Sequence, residues 1–198
     1  NKKILMKVAI NLLLTALIFL LIYMIYTSIR EPIAFQEEKG RRVDVVIAKL
    51  KQIKTSQEIY RSIKGTFAGS FEELTNVLKN EKIPFEKIEN DPTDPTNEDK
   101  FIRSTSYSPA IDSIKAMGIN IDSLAFVPFT NGLKFEIAAD TIEYQSTKVP
   151  VVQVGTKWKT FMGEFGDPKY KKYDKYFDPE KLLKFGDLAT PNLNGNWE

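Results

Sequence analysis

The sequence predicts an α+β protein whose N-terminal transmembrane helix continues into a long amphipathic helix packed on a roughly four-stranded antiparallel sheet. Three patterns predict this class: an uncharged apolar run near the N-terminus, apolar residues spaced by three and four after it, and alternating apolar residues in the second half. We divide the chain into a basic and transmembrane segment (1–29), an amphipathic helix (30–64) and a globular head (65–198). Residues 41–64 are expected to pack on that head.

The composition of the chain argues against catalysis. The sequence contains neither His nor Cys, which are the usual neutral-pH base, the common metal ligands and the thiol nucleophile. Triads, Cys–His dyads and His-based zinc or haem sites are therefore excluded within this sequence, and we expect no enzyme, no cofactor and no small-molecule substrate. A carboxylate enzyme acting on a glycan is the rejected alternative, because Glu136 and Glu143 on adjacent predicted strands read as solvated side chains. The net charge of +2 gives no reason to expect nucleic acid as a partner.

Residues 8–26, VAINLLLTALIFLLIYMIY, form the apolar run. At about 1.5 Å per residue, a helix of this length crosses a hydrocarbon core of about 30 Å. Three lysines precede the run, which predicts a cytoplasmic N-terminus and a head on the other side. A cleaved secretory signal is the alternative, but the run exceeds a signal core and no small-x-small cleavage site follows it. Asn11 and Thr15 share one face and are expected to hydrogen-bond a partner helix within the bilayer.

The segment after the apolar run has the spacing of an amphipathic helix. Pro32 predicts a kink or short break near Glu31, and Gly65 suits the left-handed residue that ends a helix. Burial against the head is the favoured interpretation; a coiled-coil stalk is the alternative, although the pattern lasts under three heptads. The stripe consists of Val43, Val46, Leu50, Ile53, Gln57 and Tyr60.

Residues 8–78 resemble the first helix and following turn of type IV pilins and type II secretion pseudopilins. The shared pattern is a membrane half-helix with a Pro, an amphipathic half ending at a Tyr, a turn with Gly and an aromatic residue, and a small helix. The positions that match are Pro32, Asp44, Leu50, Tyr60, Gly65, Phe67 and Leu74. The resemblance implies a single-pass protein of the bacterial inner membrane with a periplasmic head. Such a protein serves a secretion, pilus or motility machine through contacts with other membrane proteins or copies of itself.

The sequence departs from that family at two positions. Counting back from Pro32, prepilin processing would fall between Ile10 and Asn11, where the family has a preceding Gly, and the assembly Glu would fall at Thr15. A retained basic N-terminus would oppose extraction into a filament, because moving Lys charges through lipid costs several kcal/mol. The alternative hypothesis is therefore a single-pass accessory or scaffold subunit of an unrelated membrane complex.

Helices in the head are predicted from capping signals. Ser70 and Glu73 predict a capped helix over FEELTNVL (71–78). Ser108 before a Pro predicts the start of a second helix, which ends at Gly118. A third short helix, PEKLLKF, is predicted after Asp178 as N-cap.

Two hairpins are predicted from alternating apolar residues. SLAFVPFT and LKFEIAA flank Asn131-Gly132, which predicts a type I′ turn. DTIEYQST and KVPVVQV form the second pair. Pro128 and Pro150 are expected at strand ends or edges, because neither can donate to a ladder.

Two further segments carry candidate binding residues. The acidic loop 89–100 is expected to be solvated, with Ca²⁺ binding as the alternative through Asp91, Asp94, Glu98 and Asp99. The C-terminal segment interleaves basic and aromatic residues. Its side chains either cover the protein's own surface or dock a partner protein; the docking candidates are Lys169, Tyr170, Lys172, Tyr173 and Tyr176.

Overall fold

The computed structural model describes residues 2–90 and 101–197, and its longest element is one N-terminal helix. Helix α1 spans Lys2–Lys64 and contains Pro32 in its interior. The predicted short break near Glu31 is wrong, because the helix continues without interruption through Pro32; a kink at this position stays a prediction. An interior Pro costs a helix about 3 kcal/mol, and the contacts that Glu31 and Phe35 make with the head, on either side of Pro32, offset this cost.

The first part of α1 is exposed and the second part is buried. One window of the helix has a mean hydropathy of 2.7 and is 0% buried, which makes α1 long and apolar enough to span a membrane. Further along, the predicted stripe is confirmed: the structure buries Val46, Leu50, Ile53, Gln57 and Tyr60, and it packs the half-buried Val43 against the same core. The head covers this stripe within the same chain, as expected from the spacing.

The reversal after α1 follows the predicted capping signals. Gly65 has a φ of 76° and its N–H donates to the carbonyl of Arg61, as a left-handed helix end requires. Helix α2 then spans Phe71–Asn80, with the Ser70 hydroxyl accepting from the N–H of Glu73 at 3.2 Å. The predicted N-cap is therefore confirmed.

The strands that the structure describes form two antiparallel sheets, which corrects the prediction of a single four-stranded sheet. Strands β1 (Lys82–Asn90) and β2 (Phe101–Pro109) pair with each other in a hairpin. This hairpin was not predicted, because the chain on both sides of the acidic loop is too polar to show clear alternation. Strand β2 leads into helix α3 at Ala110–Ala116.

The start of α3 differs from the prediction and its end agrees with it. Ser108 lies within β2 and the N-cap residue is Pro109, with no side-chain capping bond. Strand pairing with β1 uses Ser108 instead, opposite Ile83. Gly118 follows the helix with a φ of 69°, as predicted.

The second sheet has the order β3-β4-β5. Strands β3 (Glu136–Tyr144) and β4 (Thr147–Lys157) join through Gln145 and Ser146, both with positive φ, as in a type I′ turn. The chain does reverse at Asn131-Gly132, since Phe126 and Lys134 form an antiparallel bridge on either side of it. The predicted type I′ turn is wrong, because Gly132 has a φ of 82° whereas Asn131 has no positive φ, and the residues before the reversal form turns instead of a strand. LKFEIAA and DTIEYQST therefore contribute to one strand, β3.

The remaining elements close the head. Helix α4 (Trp158–Met162) and two 3-10 helices (Gly163–Gly166 and Pro168–Lys172) lead to strand β5 at Leu182–Gly186. The predicted helix PEKLLKF is wrong, because its apolar residues pair with β4 instead. Pro150 lies in the part of β4 that β5 does not cover, so its missing N–H breaks no ladder on that side.

Candidate functional site at the base of the head

An aromatic cluster joins α1 to the C-terminal part of the head just beyond the apolar segment. Phe35 is 0% exposed. Its ring stacks on Tyr170 with centroids 5.2 Å apart and planes 4° apart, and it meets Phe177 edge-on at 5.2 Å. Aromatic pairs in these geometries stabilise contacts by about 0.5–1.5 kcal/mol beyond area burial. Phe35 is therefore the anchor that holds the head against the helix at this height.

Polar contacts surround the aromatic cluster. The Tyr173 hydroxyl donates to Glu31 Oε2 at 2.5 Å, and Lys172 Nζ lies 3.7 Å from the same oxygen. Gln36 Nε2 donates to the Tyr173 carbonyl at 3.3 Å. Lys39 forms an ion pair with Asp174. Two successive turns of α1 are thus tied to one short segment of the head.

The carboxylates at this junction are held in their charged form. The Tyr173 hydrogen bond is the main cause of a lowered pKa at Glu31, and the positive charges of Lys172 and Lys169 add to it. The hydrogen bond from Lys39 lowers the pKa of Asp174 below its ordinary value of 3.8. Two turns after Glu31 on the same helix, Arg41 and then Arg42 lower the pKa of Glu38 to about 2. These shifts reflect charge pairing and hydrogen bonding, which at Glu31 and Asp174 tie α1 to the head.

A groove of about 350 Å³ lies between α1 and the head at this junction. Thr27, Arg30, Glu31 and Ala34 line it from the helix. Glu164, Phe165 and Tyr170 line it from the head. The groove therefore combines an apolar wall with one cation and two carboxylates, a donor and acceptor set suited to binding a small charged group.

The structure places the five docking candidates in different environments. Tyr170 is buried in the core and Tyr173 is half-buried against α1. Lys169 and Lys172 are exposed and lie over the rings of Tyr170 and Tyr173 at 4.8 and 4.5 Å. Tyr176 is 79% exposed. Tyr170 and Tyr173 thus contribute to the junction within the chain. For the exposed Lys169, Lys172 and Tyr176, docking to a partner protein stays a prediction.

The two polar residues of the apolar segment differ in their bonding. The Thr15 hydroxyl donates to the backbone carbonyl of Asn11 at 2.9 Å within the helix. Both residues are exposed on the helix surface. Contact of Asn11 and Thr15 with a partner helix stays a prediction, in which the Asn11 carboxamide would make the hydrogen bond.

The other candidate sites are placed as follows. The proposed calcium ligands Asp91, Asp94, Glu98 and Asp99 lie outside the described residues. Within residues 2–90 and 101–197, no cluster of three or more acidic side chains is arranged to hold a metal ion. Glu136 and Glu143 lie on the same strand, which corrects their predicted placement on adjacent strands. Seven residues of strand separate them by about 23 Å, and the carboxylate pairs of glycosidases are about 5–9 Å apart.

A second polar contact, at the far end of α1, was missed in the sequence. Gln57 is fully buried; its Nε2 donates to the Ala68 carbonyl at 3.0 Å and its Oε1 accepts from the Ala68 N–H at 2.9 Å. Nearby, the Tyr60 hydroxyl bonds Glu73, and burial together with that carboxylate raises the pKa of Tyr60 to about 12. A polar residue within an apolar stripe is the signal that could have predicted a buried backbone partner.

Comparison with known proteins adds no relative. No protein-family model, no curated protein and no solved structure matches this chain. The class that the structure defines is an α+β head with two small antiparallel sheets, on one helix long and apolar enough to span a membrane.

Proposed function

We propose that this chain is a non-enzymatic, pilin-like or pseudopilin-like component of a cell-envelope secretion, pilus or motility machine. It is anchored in the bacterial inner membrane with a cytoplasmic N-terminus and a periplasmic head. It acts through protein–protein contacts with other membrane proteins or copies of itself. One observation carries the proposal: α1 runs without interruption from its exposed apolar segment into the buried stripe of the head.

The continuous helix supports an anchoring and positioning role. None of the described residues covers the apolar segment, and an all-apolar helix surface is stable only against lipid or other helices. The ties from Glu31 to Tyr173 and from Lys39 to Asp174 begin within four turns of that segment. These contacts fix the position of the head along the helix. A subunit that presents its surface to neighbouring proteins needs such a fixed position.

Exposed apolar residues on one loop of the head support protein–protein contact. Phe126, Phe129 and Leu133 are 40–55% exposed, and the guanidinium groups of Arg41 and Arg42 lie 5.0 and 5.2 Å from the Phe129 ring centroid. Phe129 also has a φ of 63°. Exposed aromatic residues next to Arg are common in protein interfaces.

A single-pass accessory or scaffold subunit of an unrelated membrane complex is the second candidate. It is favoured by Ile10 and Thr15, which stand where the family resemblance calls for the processing Gly and the assembly Glu. The two candidates differ in quaternary state: many identical copies in the first, one or two copies among different proteins in the second.

The experiment combines intact mass with cross-linking in native membranes. The intact mass and N-terminal residue would show whether the chain is cut between Ile10 and Asn11. A photo-cross-linker placed at Leu17 on the apolar segment would then report neighbours, with one at the exposed Met117 of the head as the matched control. Self-adducts at Leu17 support a polymerising pilin-like protein. Adducts with different membrane proteins alone support the accessory subunit, and a protein released from membranes by alkaline carbonate would overturn both.

A further inference from the structure

We propose that the groove at the base of the head binds one phospholipid whose headgroup carries a phosphate and a primary ammonium, as in phosphatidylethanolamine. This inference rests on the proposed membrane anchoring of α1. It goes further by naming a lipid class and the side chains that recognise it. Arg30 takes the phosphate and Glu164 takes the ammonium.

The groove lies at the depth of the headgroups when the apolar segment spans the bilayer. Thr27 directly follows residues 8–26, and Glu31 lies five residues beyond Tyr26, which is roughly 8 Å along the helix axis. The polar headgroup layer extends about 5–8 Å beyond the hydrocarbon core on each side. A lipid of the adjacent leaflet can therefore reach the groove without leaving the bilayer.

The groove offers one cation for a phosphate. Arg30 is exposed, and its Nη1 donates to the Tyr26 hydroxyl at 3.0 Å. This contact fixes the guanidinium at the groove and leaves its other N–H groups for an anion. Guanidinium donors match the oxygens of a phosphate in geometry and charge.

The groove also offers one carboxylate for an ammonium. Glu31 already accepts from Tyr173 and faces Lys172. Glu164 is exposed on the head side of the same groove. It has no hydrogen bond or ion pair with any other described residue. Glu164 is therefore the carboxylate that a ligand can pair with.

The groove offers both a positive side chain, Arg30, and a negative one, Glu164, and this combination favours phosphatidylethanolamine over other common headgroups. Phosphatidylglycerol supplies a phosphate but nothing that balances the charge of Glu164. Phosphatidylcholine supplies both charges, but its quaternary ammonium has no N–H to donate to a carboxylate. A primary ammonium donates up to three hydrogen bonds, the strongest of which go to charged acceptors.

A second hollow next to the groove accounts for the rest of the lipid. Tyr26, Ile29 and Ile33 line this hollow together with Arg30, which both hollows share. Its surface is almost entirely apolar, which suits the glycerol and upper acyl carbons of the same molecule. Headgroup and chain sites thus meet at Arg30.

The test measures lipid binding to the purified full chain by native mass spectrometry. Phosphatidylethanolamine, phosphatidylcholine and phosphatidylglycerol of equal chain length are added separately to protein in the same detergent. We expect the first lipid to bind in a one-to-one complex, with about tenfold weaker binding after Glu164→Gln or Arg30→Gln. Arg30→Lys should retain part of the affinity. The matched controls Glu143→Gln and Arg61→Gln, on exposed residues away from the groove, should leave binding unchanged.

Each other outcome overturns the assignment. Equal binding of all three lipids, or binding unaffected by Glu164→Gln, would show a nonspecific annular contact. Preference for phosphatidylglycerol, lost with Arg30→Gln alone, would show a simple anion site. Flotation of the protein with lipid vesicles is measured separately. If the protein floats but shows no lipid selectivity, only the proposed lipid site is overturned. If it does not float, the proposed membrane anchoring is overturned as well.

Discussion

Phe35→Ala is predicted to loosen the base of the head from α1. Phe35 is fully buried, and its ring contacts Tyr170 and Phe177 with centroids 5.2 Å away. Truncating a buried Phe to Ala costs about 3–5 kcal/mol, because the apolar area is lost and a cavity remains. Because the surrounding aromatic rings cannot all move to fill the cavity, we expect the free energy of unfolding to fall by about 4 kcal/mol. That is a large fraction of the 5–15 kcal/mol typical of a domain.

Urea unfolding of the full chain in lipid nanodiscs measures this loss through the two tryptophans, Trp158 and Trp197, which both lie in the head. Hydrogen exchange followed by mass spectrometry then locates it. Protection should fall most in residues 163–178, which pack on Phe35. The matched control is Phe85→Ala, where the ring is 45% exposed and the expected cost is below about 1 kcal/mol. A loss at Phe35 no larger than the control, or exchange that rises evenly over the head, would refute the reasoning.

Two further predictions concern the polar contacts of α1. Gln57→Leu should destabilise the head by about 2–4 kcal/mol, because it leaves the N–H and C=O of Ala68 buried without partners, whereas Gln52→Leu on the same helix should change stability little. Acid should weaken the Lys39–Asp174 pair. The pKa of Asp174 in the folded protein is lowered from its ordinary value of 3.8. The stability that the ion pair contributes is therefore fully present above the ordinary pKa, and it is lost as the pH falls through the folded-state pKa.

Urea midpoints in nanodiscs measure both effects. For the first, equal midpoints for the Gln57 and Gln52 variants would contradict the role of the buried amide. For the second, Asp174→Asn should be less stable than wild type at pH 6 and should lose less stability between pH 5 and pH 3. Parallel pH curves for the two proteins would show that this carboxylate does not contribute to acid sensitivity.

The long helix and its turn could be predicted because local signals decide them. The spacing of Val46, Leu50 and Ile53 marks the buried face whatever covers it. Gly65 and the Ser70 cap act through backbone geometry and one hydrogen bond within a few residues. Such features need no knowledge of the rest of the fold.

Strand β5 shows why the sheet could not be predicted. Leu183 and Phe185 are buried and alternate with Leu182 and Lys184, yet five residues of this composition suit a helix equally well. Pairing with β4 selects the strand. Gly186 then ends it with a φ of 74°, where a Cβ would lie 2.0 Å from the Val152 carbonyl oxygen.

The candidate site, too, could be predicted only in part from the sequence. The aromatic and basic residues near position 170 were visible in the sequence, but their partners on α1 lie more than 130 residues away along the chain. Only the fold brings Tyr173 to Glu31 and Glu164 to the groove beside Arg30.

The sequence by itself determined the apolar segment, the amphipathic face and the turn that ends α1, because hydropathy, helical period and capping act over a few residues. The tertiary structure decided the division into two sheets, the strand identity of residues 182–186 and the junction around Phe35. These depend on contacts between distant segments, whose free energy exceeds the weak local preferences of short apolar runs.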